Sequence, residues 1–138
     1  MEKSSKNPFR DSKAISNKGR GLKLLMQEIR EKLPPLHAQE SQGSKAIAHL
    51  RLFVPGSSFA WYLIEGSPVT DDAGNELDLE FYALVEGQFR DIYYVCLSQI
   101  ENVADSLGLP IELDLSWQPK TLEEIAPELF GSSEEVEG

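Results

Sequence analysis

The chain has 138 residues, 41% of them hydrophobic and 26% charged, with a net charge of −10 and a single cysteine, Cys96. That length suits one ordinary domain with a modest core. No apolar run approaches the roughly 20 residues of a membrane span, and a lone cysteine forms no intrachain disulfide. The N-terminus has no apolar stretch resembling a secretory signal, so cytoplasmic residence is expected. Charge is segregated: residues 1–21 carry six basic and two acidic residues, residues 22–127 carry seven basic and 17 acidic, and four more acids follow from Glu128. An acidic body repels nucleic-acid phosphates, which disfavours a duplex-binding groove outside the basic leader.

Residues 1–21 offer too little apolar surface to offset ordering and read as a disordered basic leader. Leu22, Leu25, Met26, Ile29 and Leu33 recur at helical spacing and predict a first helix, which Pro34-Pro35 stops. Residues 36–45 read as a loop. Residues 46–54 alternate and predict a strand, and Pro55-Gly56-Ser57-Ser58 supplies turn chemistry for a hairpin into a central strand over Ser58 to Glu65. That strand is apolar on both faces, with Phe59, Trp61 and Leu63 on one and Ala60, Tyr62 and Ile64 on the other.

Gly66 to Glu76 reads as a polar loop whose acids lack the register of an EF-hand, so a solvated turn is the better account. Leu77, Leu79, Phe81, Ala83 and Val85 alternate with Asp78, Glu80, Tyr82, Leu84 and Glu86, predicting a strand with one buried and one largely wet face. Asp91 to Leu97 predicts a fourth strand. Ser98 and Glu101 have capping-box spacing ahead of a helix that Gly108 ends. Ile111, Leu113 and Leu115 suggest a short edge strand, and Thr121 with Glu124 a second capping box before a short last helix that Pro127 limits. From 128 onward the chain reads as an acidic flexible tail. The sum is a single α+β domain over residues 22–127, an antiparallel four- to five-stranded meander packed against two or three helices.

Four segments of this chain resemble a family of bacterial domains of unknown function that recur on plasmids and other mobile elements. They are Arg51-Leu-Phe-Val-Pro-Gly-Ser-Ser-Phe-Ala-Trp61, Phe81-Tyr-Ala-Leu-Val85, Tyr94-Val-Cys-Leu-Ser-Gln-Ile-Glu101 and Leu107-Gly-Leu-Pro-Ile-Glu-Leu-Asp-Leu-Ser-Trp-Gln-Pro-Lys-Thr-Leu122. The last is the most specific. The resemblance implies a role in upkeep, transfer or defence of such elements and carries no assigned catalytic residues. Tyr93 stands where a glycine is usual, Cys96 where a serine is usual, and Leu113 where an arginine is usual.

The chemistry-bearing residues are sparse. His37 and His49 lie outside any metal-ligand spacing, and the chain has no nucleophile elbow, phosphate loop or dinucleotide fingerprint. No catalytic residue, metal or cofactor is therefore expected. Cys96 on an apolar strand reads as a packing residue rather than a nucleophile. Glu112 and Asp114 alternate along one strand and read as edge charges. The candidate binding surface is Tyr62, Ile64, Tyr82 and Tyr93, with Tyr94 as the alternative to Tyr93 and with His49 and Arg51 on a polar strand face. Either a helix covers these tyrosines or a partner does. Their acidic surroundings favour a protein partner; the alternatives are a nucleic-acid-associated protein using its leader and tyrosines, or an acidic mimic of DNA.

Overall fold

Strong alternation between residues 50 and 96 produces the backbone of the structure, a computed structural model that describes residues 19–130. Of the basic leader expected over residues 1–21, residues 1–18 lie outside the described residues and 19–21 belong to the first helix; of the acidic tail expected from 128, residues 131–138 lie outside them. Strands β1 (Ile47–Ala48), β2 (Leu50–Phe53), β3 (Ala60–Thr70), β4 (Glu76–Glu86), β5 (Arg90–Cys96), β6 (Glu112–Leu113) and β7 (Lys120–Thr121) alternate with helices α1 (Gly19–Lys32), α2 (Leu97–Leu107) and α3 (Leu122–Ile125). Five strands form one antiparallel sheet in the order β5-β4-β3-β2-β6, while β1 and β7 pair separately. The α+β meander expected from the sequence is thus the observed architecture.

Both faces of the sheet are covered, as apolar residues on both sides of β3 require. On the first face, Leu52, Trp61, Leu63, Phe81, Ala83 and Val85 pack beneath Ile29 of α1 and Leu97, Ile100 and Ala104 of α2. On the second, Ala60, Tyr62, Ile64 and Leu84 pack beneath Leu122, Ala126 and the half-buried Trp117. The sheet is the middle of three layers, and the last quarter of the described chain supplies the third.

Several local features depart from the expected pattern. The strand expected over residues 46–54 divides at His49, where the chain passes from the small sheet to the large one; the His49 N–H still donates to Leu63 O at 2.9 Å. β3 continues well past Glu65, through residues expected to form a loop, because it stays paired with β4 as far as Thr70↔Glu76. Gly66 permits this: a Cβ there would lie 2.9 Å from Phe81 Cδ1 and 3.1 Å from Leu33 Cδ1, so only a glycine lets Phe81 reach the first core. The register shifts between Leu63 and Glu65, a bulge centred on Ile64. The acidic stretch beyond β3 is a tight turn in which Asp71 Oδ1 accepts the N–H groups of Ala73 and Asn75, both at 2.9 Å.

Helix α2 begins one residue earlier than its expected cap. Gln99 Oε1 accepts the Cys96 N–H at 2.7 Å. Ser98, the expected cap, instead gives its hydroxyl to Asp78 Oδ2 at 2.5 Å. The second capping box forms as expected: Thr121 N–H donates to Glu124 Oε1 at 2.9 Å and Glu124 N–H to Thr121 Oγ1 at 3.3 Å. This box sits at the end of β7, where Thr121 is opposite Ile47 and the Leu122 N–H donates to Ala46 O at 2.9 Å. Sheet pairing and helix capping together fix Leu122 over the second face.

Candidate functional site

Tyr62 and Ile64 are core residues, which removes half of the tyrosine surface expected from the sequence. Tyr62 is 7% exposed and Ile64 is fully buried. The Tyr62 ring lies 5.3 Å from that of Trp117 at 60°, and its hydroxyl donates to Glu86 Oε1 at 2.8 Å. Burial, with the carboxylate of Glu86, raises the phenol pKa. Trp117 is itself tied down by its indole N–H, which donates to Ala48 O at 3.1 Å. Tyr62 and Trp117 are thereby tied to Glu86 of β4 and the Ala48 carbonyl of β1.

Arg51 belongs to the same cover. Opposite Tyr62 in register, it lays its guanidinium 4.9 Å from the centre of the Phe53 ring and 5.5 Å from that of Tyr62, and it bonds Asp114 Oδ2 at 3.1 Å. Asp114 also accepts the Ser116 N–H and hydroxyl, both at 3.0 Å. Burial works to raise the Asp114 pKa, but the Ser116 hydrogen bonds and the Arg51 charge hold it below its ordinary value. Glu112 is exposed on β6 opposite Phe53, whereas Asp114 is engaged by Arg51 and Ser116.

His49 is half-buried in the wall of a cavity of about 280 Å³, shared with Glu28, Lys32, Leu113, Asp114 and Trp117. Burial lowers its pKa, which keeps the imidazole neutral at pH 7. The charges around it are already matched, since Lys32 Nζ lies 2.8 Å from Glu28 Oε1 and Asp114 holds Arg51. Cys96 is half-buried, and burial followed by the nearby carboxylates of Asp78 and Glu80 pushes its thiol pKa up, the opposite of nucleophile activation.

The open part of the second face lies on β4 and β5. Tyr94 is directly opposite Tyr82, whereas Tyr93 is opposite Ala83 on the helix-bearing face. Of the two residues weighed for the tyrosine surface, Tyr94 is the one that joins it, and Tyr93 is corrected out. The Tyr82 and Tyr94 rings are 4.9 Å apart at 46°, and the His37 ring stands 6.0 Å from Tyr94 at 51°. Tyr94 is 45% exposed. Within the large sheet β5 has a neighbour on one side only, so the cluster stands at an edge.

His37 and Glu65 complete this site, and the sequence reading assigned neither to it. The bulge at Ile64 brings Glu65 opposite Tyr82, onto the second face, where it is 2% exposed. Its carboxylate accepts the His37 N–H at 2.7 Å and the Gln39 N–H at 2.6 Å. His37 has a φ of 76°, a left-handed backbone that a non-glycine residue adopts at a cost. Glu40 Oε1 lies 3.6 Å from His37 Nδ1. Burial and then the charges of Tyr94, Glu65 and Glu40 raise the Tyr82 pKa; burial and then Glu65, Glu40 and Glu80 raise that of Tyr94. The rings therefore sit in a negative field.

Among the described residues no cluster of three or more His, Cys, Asp or Glu side chains is placed to hold a metal ion, and no helix is long and apolar enough to cross a membrane. No protein-family model, curated protein or solved structure matches the chain.

Proposed function

We propose that the chain is a small non-enzymatic protein-interaction module and that its partner sits on Tyr82, Tyr94 and His37. The observation that carries this reading is the contrast between two tyrosines on one sheet face: Tyr62 lies beneath the C-terminal segment, while Tyr94, paired with Tyr82, stands open at the edge. Large aromatic rings with a polar tip supply much contact area at small entropic cost, which is why they anchor interfaces. The non-enzymatic part is supported by the internal pairing of Arg51 with Asp114 and of Lys32 with Glu28, and by a thiol pKa raised rather than lowered. Cytoplasmic residence and a role on mobile elements rest on the sequence alone.

The test is affinity capture from the native host with the wild-type chain and a Tyr94→Glu variant side by side. A protein retained by the first and lost by the second supports the reading; identical retained sets overturn it. A second reading, an acidic mimic of DNA, draws on the excess of 17 acids over seven bases in residues 22–127. It requires competition with DNA for a DNA-binding enzyme and no affinity for oligonucleotides. Direct nucleic-acid binding through the basic leader instead requires oligonucleotide affinity that falls steeply with salt.

A further inference from the structure

We propose that the ring cluster of Tyr82, Tyr94 and His37 receives a cationic side chain, an arginine in a basic segment of the partner, held between the ring faces and the exposed carboxylate of Glu40, with the buried Glu65 adding its charge from beneath. The proposal rests on the protein-interaction reading and names the chemistry of the partner.

Three features of the site converge on it. Aromatic faces carry negative quadrupole density and attract a cation within about 6 Å of the ring centre. Tyr94 is the middle of three rings, with Tyr82 at 4.9 Å and 46° and His37 at 6.0 Å and 51°, so neither pair is a parallel stack. The groups acting electrostatically on both phenols include Glu65 and Glu40, with Glu80 added at Tyr94. The buried Glu65 contributes its charge without presenting a surface for a partner to contact. An anionic or phosphate-bearing ligand meets repulsion here, and a neutral apolar one forgoes the field.

The same chain shows the arrangement already filled. Arg51 lies over Phe53 and Tyr62 with Asp114 as its counter-ion, a guanidinium between two rings and a carboxylate. At Tyr82 and Tyr94 the rings and carboxylates recur, and Tyr94 is exposed. Arginine fits better than lysine, because its planar group stacks on a ring while its edge donates to a carboxylate. The left-handed His37 supplies a structural reason for the loop: two hydrogen bonds to Glu65 hold a costly backbone that sets the imidazole against Tyr94.

The probe is a short peptide, acetyl-GGRGG-amide, titrated into the full chain against its citrulline counterpart, with the ring protons of Tyr82, Tyr94 and His37 followed by NMR. Saturable shifts at these rings are expected, with the citrulline peptide weaker by about tenfold. Glu40→Gln and Tyr94→Leu should each weaken arginine binding by about threefold or more, and Tyr94→Phe should retain it. Both positions, Glu40 and Tyr94, are exposed, so these variants fold. Equal binding of the two peptides, or no shift at the rings, overturns the proposal. Ring shifts that grow with protein concentration alone assign the rings to a second copy of the chain and also overturn it. A partner captured through Tyr94 while the arginine peptide leaves the rings unmoved preserves the interaction reading and removes this one; peptide binding with no partner lost in Tyr94→Glu does the reverse.

Discussion

The carboxylate of Glu65 accepts the backbone N–H of His37 at 2.7 Å, reaching from the bulged centre of β3 to a left-handed residue in the loop that follows α1. With its second bond, to the Gln39 N–H at 2.6 Å, one buried side chain sets the path of that loop. Gln39 extends the latch by donating its amide to Ile47 O at 3.0 Å and Ile64 O at 3.1 Å and by accepting the Ile47 N–H at 2.8 Å.

Glu65→Ala should therefore leave two amides without their acceptor and cost about 2–4 kcal/mol in urea unfolding. Glu65→Gln keeps the volume but turns one acceptor into a donor, so its cost should be smaller. In both, the contact between His37 and Tyr94 should loosen, read as a smaller ring-current shift on the His37 imidazole. Unchanged stability in Glu65→Ala would contradict the latch.

Leu122→Ala tests the third layer. Leu122 is 2% exposed and lies over Tyr62 and Ile64. The truncation should cost about 2–4 kcal/mol and raise binding of a hydrophobic dye, because the second sheet face becomes wet. A neutral result would mean that α3 adds nothing to the cover.

Gly66→Ala should destabilise by about 1–3 kcal/mol, since its Cβ would press against Phe81, which is fully buried and has little room to retreat. The double variant Gly66→Ala with Phe81→Leu should recover part of that loss. Additive effects in the double-mutant cycle would sink the explanation.

Two pH effects have definite signs. Burial holds the His49 pKa below the ordinary 6.5 in the folded chain, so the unfolded chain takes up the proton first. The stability linked to His49 is complete above about pH 6.5 and falls as the pH drops toward the folded value. NMR titration should give a midpoint below 6.5, and His49→Gln should flatten this part of the stability profile. Asp114 is depressed, so its contribution is present above about pH 4 and is lost as the pH falls through its folded value. Asp114→Asn should remove that more acidic component, measured by thermal unfolding between neutral and acidic pH.

The parts of the fold legible in the sequence were those written in local chemistry. Strand β4 alternates cleanly, and the Thr121–Glu124 box marked α3 with its neighbours alone. What escaped depended on partners distant in the chain. Strand β7 is two residues long and exists because Ile47 and Ala48 lie opposite it. Nothing around Glu65 announces the bulge that turns it toward Tyr82, since a register shift is a property of two strands together. Choosing between Tyr93 and Tyr94 required the same information, because adjacent residues of a strand face opposite ways and only the pairing with β4 says which meets Tyr82. The cover over Tyr62 was equally hidden: Trp117 and Leu122 carry no mark of where they dock.

The placement of that cover also orders events during synthesis. Six buried residues of the second core, Ala46, Ala48, Ala60, Tyr62, Ile64 and Leu84, precede Leu122 and Ala126 in the chain. A nascent chain that has paired β3 with β4 and docked α2 holds one covered apolar face and one naked one until residues 120–126 emerge. Contacts so far apart along the chain close slowly and leave sticky surface exposed in the interval. The second sheet face is thus most prone to aggregate while residues 120–126 are still to be made.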